Sequence, residues 1–76
     1  MNGLIEYIVG GLVDYPDEVT VDLDKDGDVD VYEVEVHEDD IGRLIGRQGR
    51  TANALRAVVG AAAAKKGERA QVEILD

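Results

Sequence analysis

The chain contains no cysteine, serine, tryptophan or phenylalanine, and has one proline, one methionine and one histidine among its 76 residues. Without cysteine no disulfide can staple the fold and no thiolate can ligate a metal, so a domain this small must be stable through packing alone. That lack also fits a reducing cytoplasm. The usual hydroxyl and thiol nucleophiles are missing, and the two threonines, Thr20 and Thr51, are accounted for as a strand residue and a helix-start residue. Neither an enzyme nor a bound cofactor is expected. Met1-Asn2-Gly3-Leu4-Ile5-Glu6 carries no basic region ahead of its apolar residues, and no apolar run approaches the length of a membrane span. Secretion and membrane insertion are therefore not indicated. Tyr7, Tyr15 and Tyr32 are too scattered to form a stacking platform for bases.

What is present suits one folded domain over residues 1–76. Apolar residues make up 45% and charged residues 33%, too apolar for a disordered chain. The net charge of −9 argues at face value against a nucleic-acid partner, but its distribution answers the objection. Residues 1–40 hold fourteen acids and one base, Lys25, whereas residues 41–70 hold seven bases and one acid, Glu68. Such segregation is expected where one face meets an anion and another faces solvent.

Leu4, Ile5, Ile8, Val9 and Leu12 follow one helical face, with Asn2 as N-cap and Gly10, Gly11 and Pro16 as stop signals. Val19, Val21 and Leu23 then alternate with polar residues, and after Lys25-Asp26-Gly27-Asp28 a second alternation runs through Val29, Val31, Val34 and Val36. Period two around Asp26-Gly27 predicts a hairpin. One face would carry the valines and the other Asp30, Tyr32, Glu33 or Glu35, with a register slip or bulge near Tyr32. Glu38-Asp39-Asp40 suits a helix start, and Ile41, Leu44 and Ile45 predict a short helix. A longer helix capped by Thr51 would carry Ala52, Leu55, Val58, Val59, Ala62 and Ala63 as its apolar stripe and close at Lys65-Lys66-Gly67. Ala70, Val72 and Ile74 alternate in a last strand. The order α-β-β-α-α-β makes an α+β fold: a three-stranded mixed sheet with helices packed on one face, its last strand parallel to the second.

The segment Ile41-Gly42-Arg43-Leu44-Ile45-Gly46-Arg47-Gln48-Gly49-Arg50-Thr51 carries the functional signal. Two closely spaced glycines between helices allow a turn without Cβ atoms that a polymer backbone can approach. The second helix begins directly behind that turn, and its positive dipole end favours phosphate oxygens. Arg47 and Arg50 add charge at the same place. Chemistry of this kind grips an anionic chain without cleaving it.

Ile-Gly-x-x-Gly in this element order resembles the type II KH domain, whose GxxG loop clamps about four nucleotides of a single strand. Residues 40–52 and Ala54-Leu55-Arg56 resemble more narrowly the small bacterial single-KH proteins of the KhpA/YlqC family. That resemblance implies a groove between the GxxG loop with its flanking helices and the last strand with the loop before it. Gly46, Arg47, Gln48 and Gly49 would meet the backbone, with Arg43 and Arg50 beside them. Ile41, Leu44 and Ile45 would line the floor, although the same three, Leu44 first, are what a helix would use to pack on a core. Lys65, Lys66 and Arg69 would lie in or beside the variable loop. It further implies an RNA chaperone or post-transcriptional regulator acting on single-stranded RNA, a homodimer, and a larger KH-containing partner of the KhpB/Jag/EloR kind linked to cell elongation or division. Aspartates at Gly46 and Gly49 are expected to abolish RNA binding and spare the fold.

Two rival readings arise. A protein-interaction adaptor would use the helical face for a partner chain; separately, Ala61-Ala62-Ala63-Ala64 most simply gives a strong, slim helix, or with Gly60 allows close approach of another helix in a dimer. Asp22-Leu23-Asp24-Lys25-Asp26-Gly27-Asp28-Val29-Asp30-Val31-Tyr32-Glu33 matches the EF-hand pattern position by position. An EF-hand needs a helix on each side, whereas both flanks here alternate at period two. An acidic hairpin that discourages edge pairing, or at most holds calcium weakly, is the better fit. His37 is read as an exposed strand-end residue.

Overall fold

The computed structural model describes the whole chain, Met1–Asp76. Helix α1 (Asn2–Gly10) is followed by a single 3-10 turn at Pro16–Glu18, strands β1 (Thr20–Asp26) and β2 (Val29–Glu35), and another such turn at Glu38–Asp40. Helix α2 (Ile41–Ile45), a tight turn at Arg47–Gly49, helix α3 (Arg50–Lys65) and strand β3 (Arg69–Ile74) complete it. The sheet order is β1-β2-β3, with β1 antiparallel and β3 parallel to β2. The α-β-β-α-α-β order and the mixed sheet are those expected from the periodicities.

The first hairpin runs in unbroken register from Thr20 opposite Glu35 to Asp26 opposite Val29, so no slip or bulge occurs near Tyr32. Strict period two then divides the valines by parity. Lys25, Leu23 and Val21 face inward opposite Asp30, Tyr32 and Val34, while Val29 and Val31 share the outer face with the acids. The expected all-valine face, with Tyr32 outside, is thus corrected: the larger Tyr32 ring is buried and Val31 is half-exposed. Burial, reinforced by nearby Asp30 and Glu68, pushes the Tyr32 phenol above its ordinary value of 10.0.

The core joins Ile5, Val9 and Val13 from α1 and its exit, Val21, Tyr32, Val34 and Val36 from the hairpin, Leu44, Leu55 and Val59 from α2 and α3, and Val72 from β3. Each helix buries the centre of the stripe its spacing predicts, while Leu4 of the first and Leu12 just past its end, Ile45 of the second and Val58 of the third remain exposed. Two helix starts differ from expectation, the first because a distant partner takes the capping side chain. Asn2 donates through Nδ2 to Val21 O (3.1 Å) instead of capping α1, which starts from Met1. Thr51 lies one turn-position inside α3, whose N-cap is Gly49.

Asp40 is the one buried charged residue, and its two carboxylate oxygens accept from Asp14 N and Tyr15 N at 3.0 Å each. It clamps the exit of α1 to the start of α2. His37 is half-buried instead of exposed: its ring stacks on Tyr15 at 4.1 Å, and Nδ1 accepts from Asp39 N. The EF-hand pattern falls on two strands and a two-residue turn, which puts Asp22, Asp24, Asp26 and Glu33 on the outer face and Asp30 on the inner one. Asp30 is taken by Lys25 Nζ at 2.9 Å. Ligands split across a sheet cannot close the cage that a helix-loop-helix builds.

Candidate nucleic-acid interface

The Gly46–Gly49 turn is built from backbone conformations that side chains rarely adopt. Gly46 has φ +77 and ψ 171, and Gly49 has φ +75 and ψ 13. Between them Gln48 adopts a left-handed φ of 58, the only non-glycine residue to do so. Gly49 N–H and Arg50 N–H donate to Gly46 O and Arg47 O, which closes the corner. Thr51 packs its side chain beneath Gly46, so closely that a Cβ there would overlap Oγ1 and lie 2.8 Å from the Thr51 Cβ. Thr51 supports the corner from below, a different task from the helix cap its sequence position suggests.

Around this corner the arginines are exposed. Arg47 stands free, Arg50 reaches Gln48 Oε1 only at 3.4 Å, and Arg43 Nη2 pairs with Asp14 at 3.1 Å. That last pair is itself exposed, so it holds Arg43 weakly. Ile45 is exposed and Ile41 half-buried beside the turn, leaving apolar surface for a flat ligand. Leu44 is fully buried, so it holds α2 in the core and offers a base no surface.

Lys65 and Lys66 sit at the far end of α3, about 22 Å along the helix axis from Arg50. Arg69 begins β3, and with Gly60, Ala70 and Gln71 it lines a groove between α3 and that strand. The hairpin tip folds beside it: Lys25, Asp28, Asp30 and Glu68 border the Gly67–Arg69 loop. Acids therefore surround that end of the groove, while the GxxG end is ringed by arginines.

One groove residue, Arg56, escaped the motif, and so did Asn53, which contacts it. Asn53 and Arg56 follow Gly49 at helical spacing on α3, and Arg56 lines the groove with Ala70, Gln71 and Val72. Arg56 Nε donates to Val72 O at 3.4 Å and Nη1 to Asn53 Oδ1 at 3.3 Å. The available signal was the i, i+4, i+7, i+11 series Gly49, Asn53, Arg56, Gly60, which marks one helix face.

A glycine-cornered turn between two short-linked helices, set beside a mixed three-stranded sheet in this order, defines a type II KH domain. The description "KhpA/KhpB, KH domain" matches residues 2–74, and the chain belongs to that family. A protein of Halalkalibacterium halodurans called RNA-binding protein KhpA is 50% identical over 76 residues, covering 100% of both chains. Proteins of the same name are 47% identical in Borreliella burgdorferi, over 96% of this chain and 89% of that one, and 41% identical in Oceanobacillus iheyensis, over 99% and 100%. The family is not an enzymatic one. No solved structure gives a significant match.

Proposed function

We propose that the chain binds single-stranded RNA, with the Gly46–Gly49 turn gripping the sugar-phosphate backbone. The observation that carries this reading is the tight turn at the start of α3, cornered by Gly46 and Gly49 and bearing exposed Arg47, with exposed Arg50 beside it. Phosphates would approach the main chain there and meet both the helix dipole and the guanidinium groups. Arg43 would join after releasing Asp14. Bases would turn toward Ile41, Ile45 and the α3–β3 groove, with Arg69 at its far end and Lys65 and Lys66 beyond it. Relatives named RNA-binding proteins over their full length support the reading.

One small domain with a clamp of about four nucleotides binds weakly, so pairing would raise its avidity. Homodimerisation, or association with a larger KH-containing protein of the KhpB kind, supplies it. The cellular role that follows is a cytoplasmic RNA chaperone or post-transcriptional regulator connected with cell elongation or division. No helix is long and apolar enough to cross a membrane.

The test is a pair of exposed substitutions, Arg47→Asp with Gln48→Asp. Aspartate tolerates the left-handed conformation of Gln48 and sets negative charge where phosphate must lie. Aspartate at Gly46, by contrast, would collide with Thr51, so the expectation that such a variant spares the fold does not hold. The double variant should melt as the parent does and lose RNA binding in a gel-shift titration; undiminished affinity would refute the clamp.

A second reading has its own observation. Ile8, Leu12, Ala54, Leu55 and Val58 line an apolar groove between α1 and α3, a surface fit for a protein partner. Salt separates the two: phosphate binding weakens steeply with ionic strength, an apolar interface does not.

A further inference from the structure

We infer that Arg56 is the specificity-determining residue of the α3–β3 groove and selects a base with two adjacent acceptors, cytosine or guanine, over adenine and uracil. The inference rests on the RNA-binding reading above and concerns which bases that site accepts.

Strand β3 is an edge of the sheet, and its main-chain groups alternate between β2 and the open side. Leu75 N–H donates to Val34 O at 2.9 Å, so odd-numbered residues turn toward β2. Val72 belongs to the other set, and its carbonyl faces the groove, where Arg56 Nε reaches it. With Nη1 on Asn53 Oδ1, the guanidinium is tethered on two sides, between the helix and the strand edge. Both bonds are long, at 3.4 and 3.3 Å, so they orient the exposed group only loosely and leave most of its hydrogen-bonding capacity free. Arg56 has no carboxylate partner among the ion pairs of the fold.

Two of the five guanidinium N–H donors are thus occupied, and those remaining on Nη1 and Nη2 form a planar donor pair. Such a fork is satisfied by two neighbouring acceptors. A base splayed from a single strand exposes both of its polar edges. Guanine then offers O6 and N7, and cytosine offers N3 and O2. Adenine and uracil alternate donor and acceptor along the same edges, so one arm of the fork would meet an acceptor while the other faced an N–H, leaving that arm and the base N–H unpaired. A lysine at this position would keep the charge but lose the fork.

The experiment measures fluorescence anisotropy with four uridine-flanked RNA pentamers that differ only in the central base. The parent protein should bind the cytidine and guanosine pentamers about tenfold more tightly than the adenosine and uridine ones. Arg56→Lys should bring the four probes to nearly equal values. Equal binding of all four by the parent, or an unchanged ratio in Arg56→Lys, overturns the inference while leaving the backbone clamp standing. If Arg56 only latched α3 to β3, the lysine variant would lower the melting temperature and keep the ratio. No binding of any pentamer by the parent fails the RNA-binding reading itself, and this inference with it.

Discussion

A methyl group added at Gly46 would press into the side chain of Thr51 and lie 2.9 Å from its amide nitrogen, whereas at Gly49 the nearest outside atom is 3.8 Å away. The two glycines of the motif therefore answer to different constraints. At Gly49 an alanine meets only the left-handed backbone cost, about 1–2 kcal/mol. At Gly46, whose φ of 77 and ψ of 171 lie in a region essentially reserved to glycine, it meets about 1–3 kcal/mol of backbone strain and overpacking as well, which adds about 1–3 kcal/mol. Gly46→Ala should thus lower the melting temperature clearly more than Gly49→Ala. Equal losses would mean that Thr51 moves aside freely and does not brace the turn.

Between elements, the bond that most repays disruption is the Asp40 carboxylate on the Asp14 and Tyr15 amides. Asp40→Ala removes two charge-assisted hydrogen bonds from a buried site, a loss of about 2–4 kcal/mol. Urea unfolding should show a lower midpoint with an unchanged slope, and Asp40→Asn, which keeps one acceptor, should fall between. Neither this clamp nor the Asn2–Val21 bond could be read from the sequence, because their partners lie 25 and 19 positions away. The element order, the hairpin and the parallel last strand could be, since each depends on periodicity and turn chemistry within a few residues. Tyr32 was misassigned because valines of both parities masked the strand's phase. The glycine turn was legible as a local motif; Arg56 was not, since its value depends on a strand edge that reaches α3 only in the folded chain.

Over the whole molecule, charge is sorted by layer. Asp22, Asp24, Asp26, Glu33, Glu35 and Glu73 share the outer face of the sheet, with Asp22 directly opposite Glu33 and Glu33 opposite Glu73. Like charges facing across strands destabilise a sheet, and added salt screens them over about 10 Å at 0.1 M. Rising sodium chloride should therefore raise the melting temperature and, in the same range, weaken RNA binding. A melting temperature that falls with salt would show that attractions, not these repulsions, dominate the domain's electrostatics.

Under the proposed RNA clamp, that layered polarity would also govern how copies share one transcript. Each molecule seated by its glycine corner would keep its carboxylate-studded back toward solvent, and two such backs repel at close range. Side-by-side crowding through the sheets is disfavoured, so a long RNA would be dressed in separate beads instead of a continuous sheath.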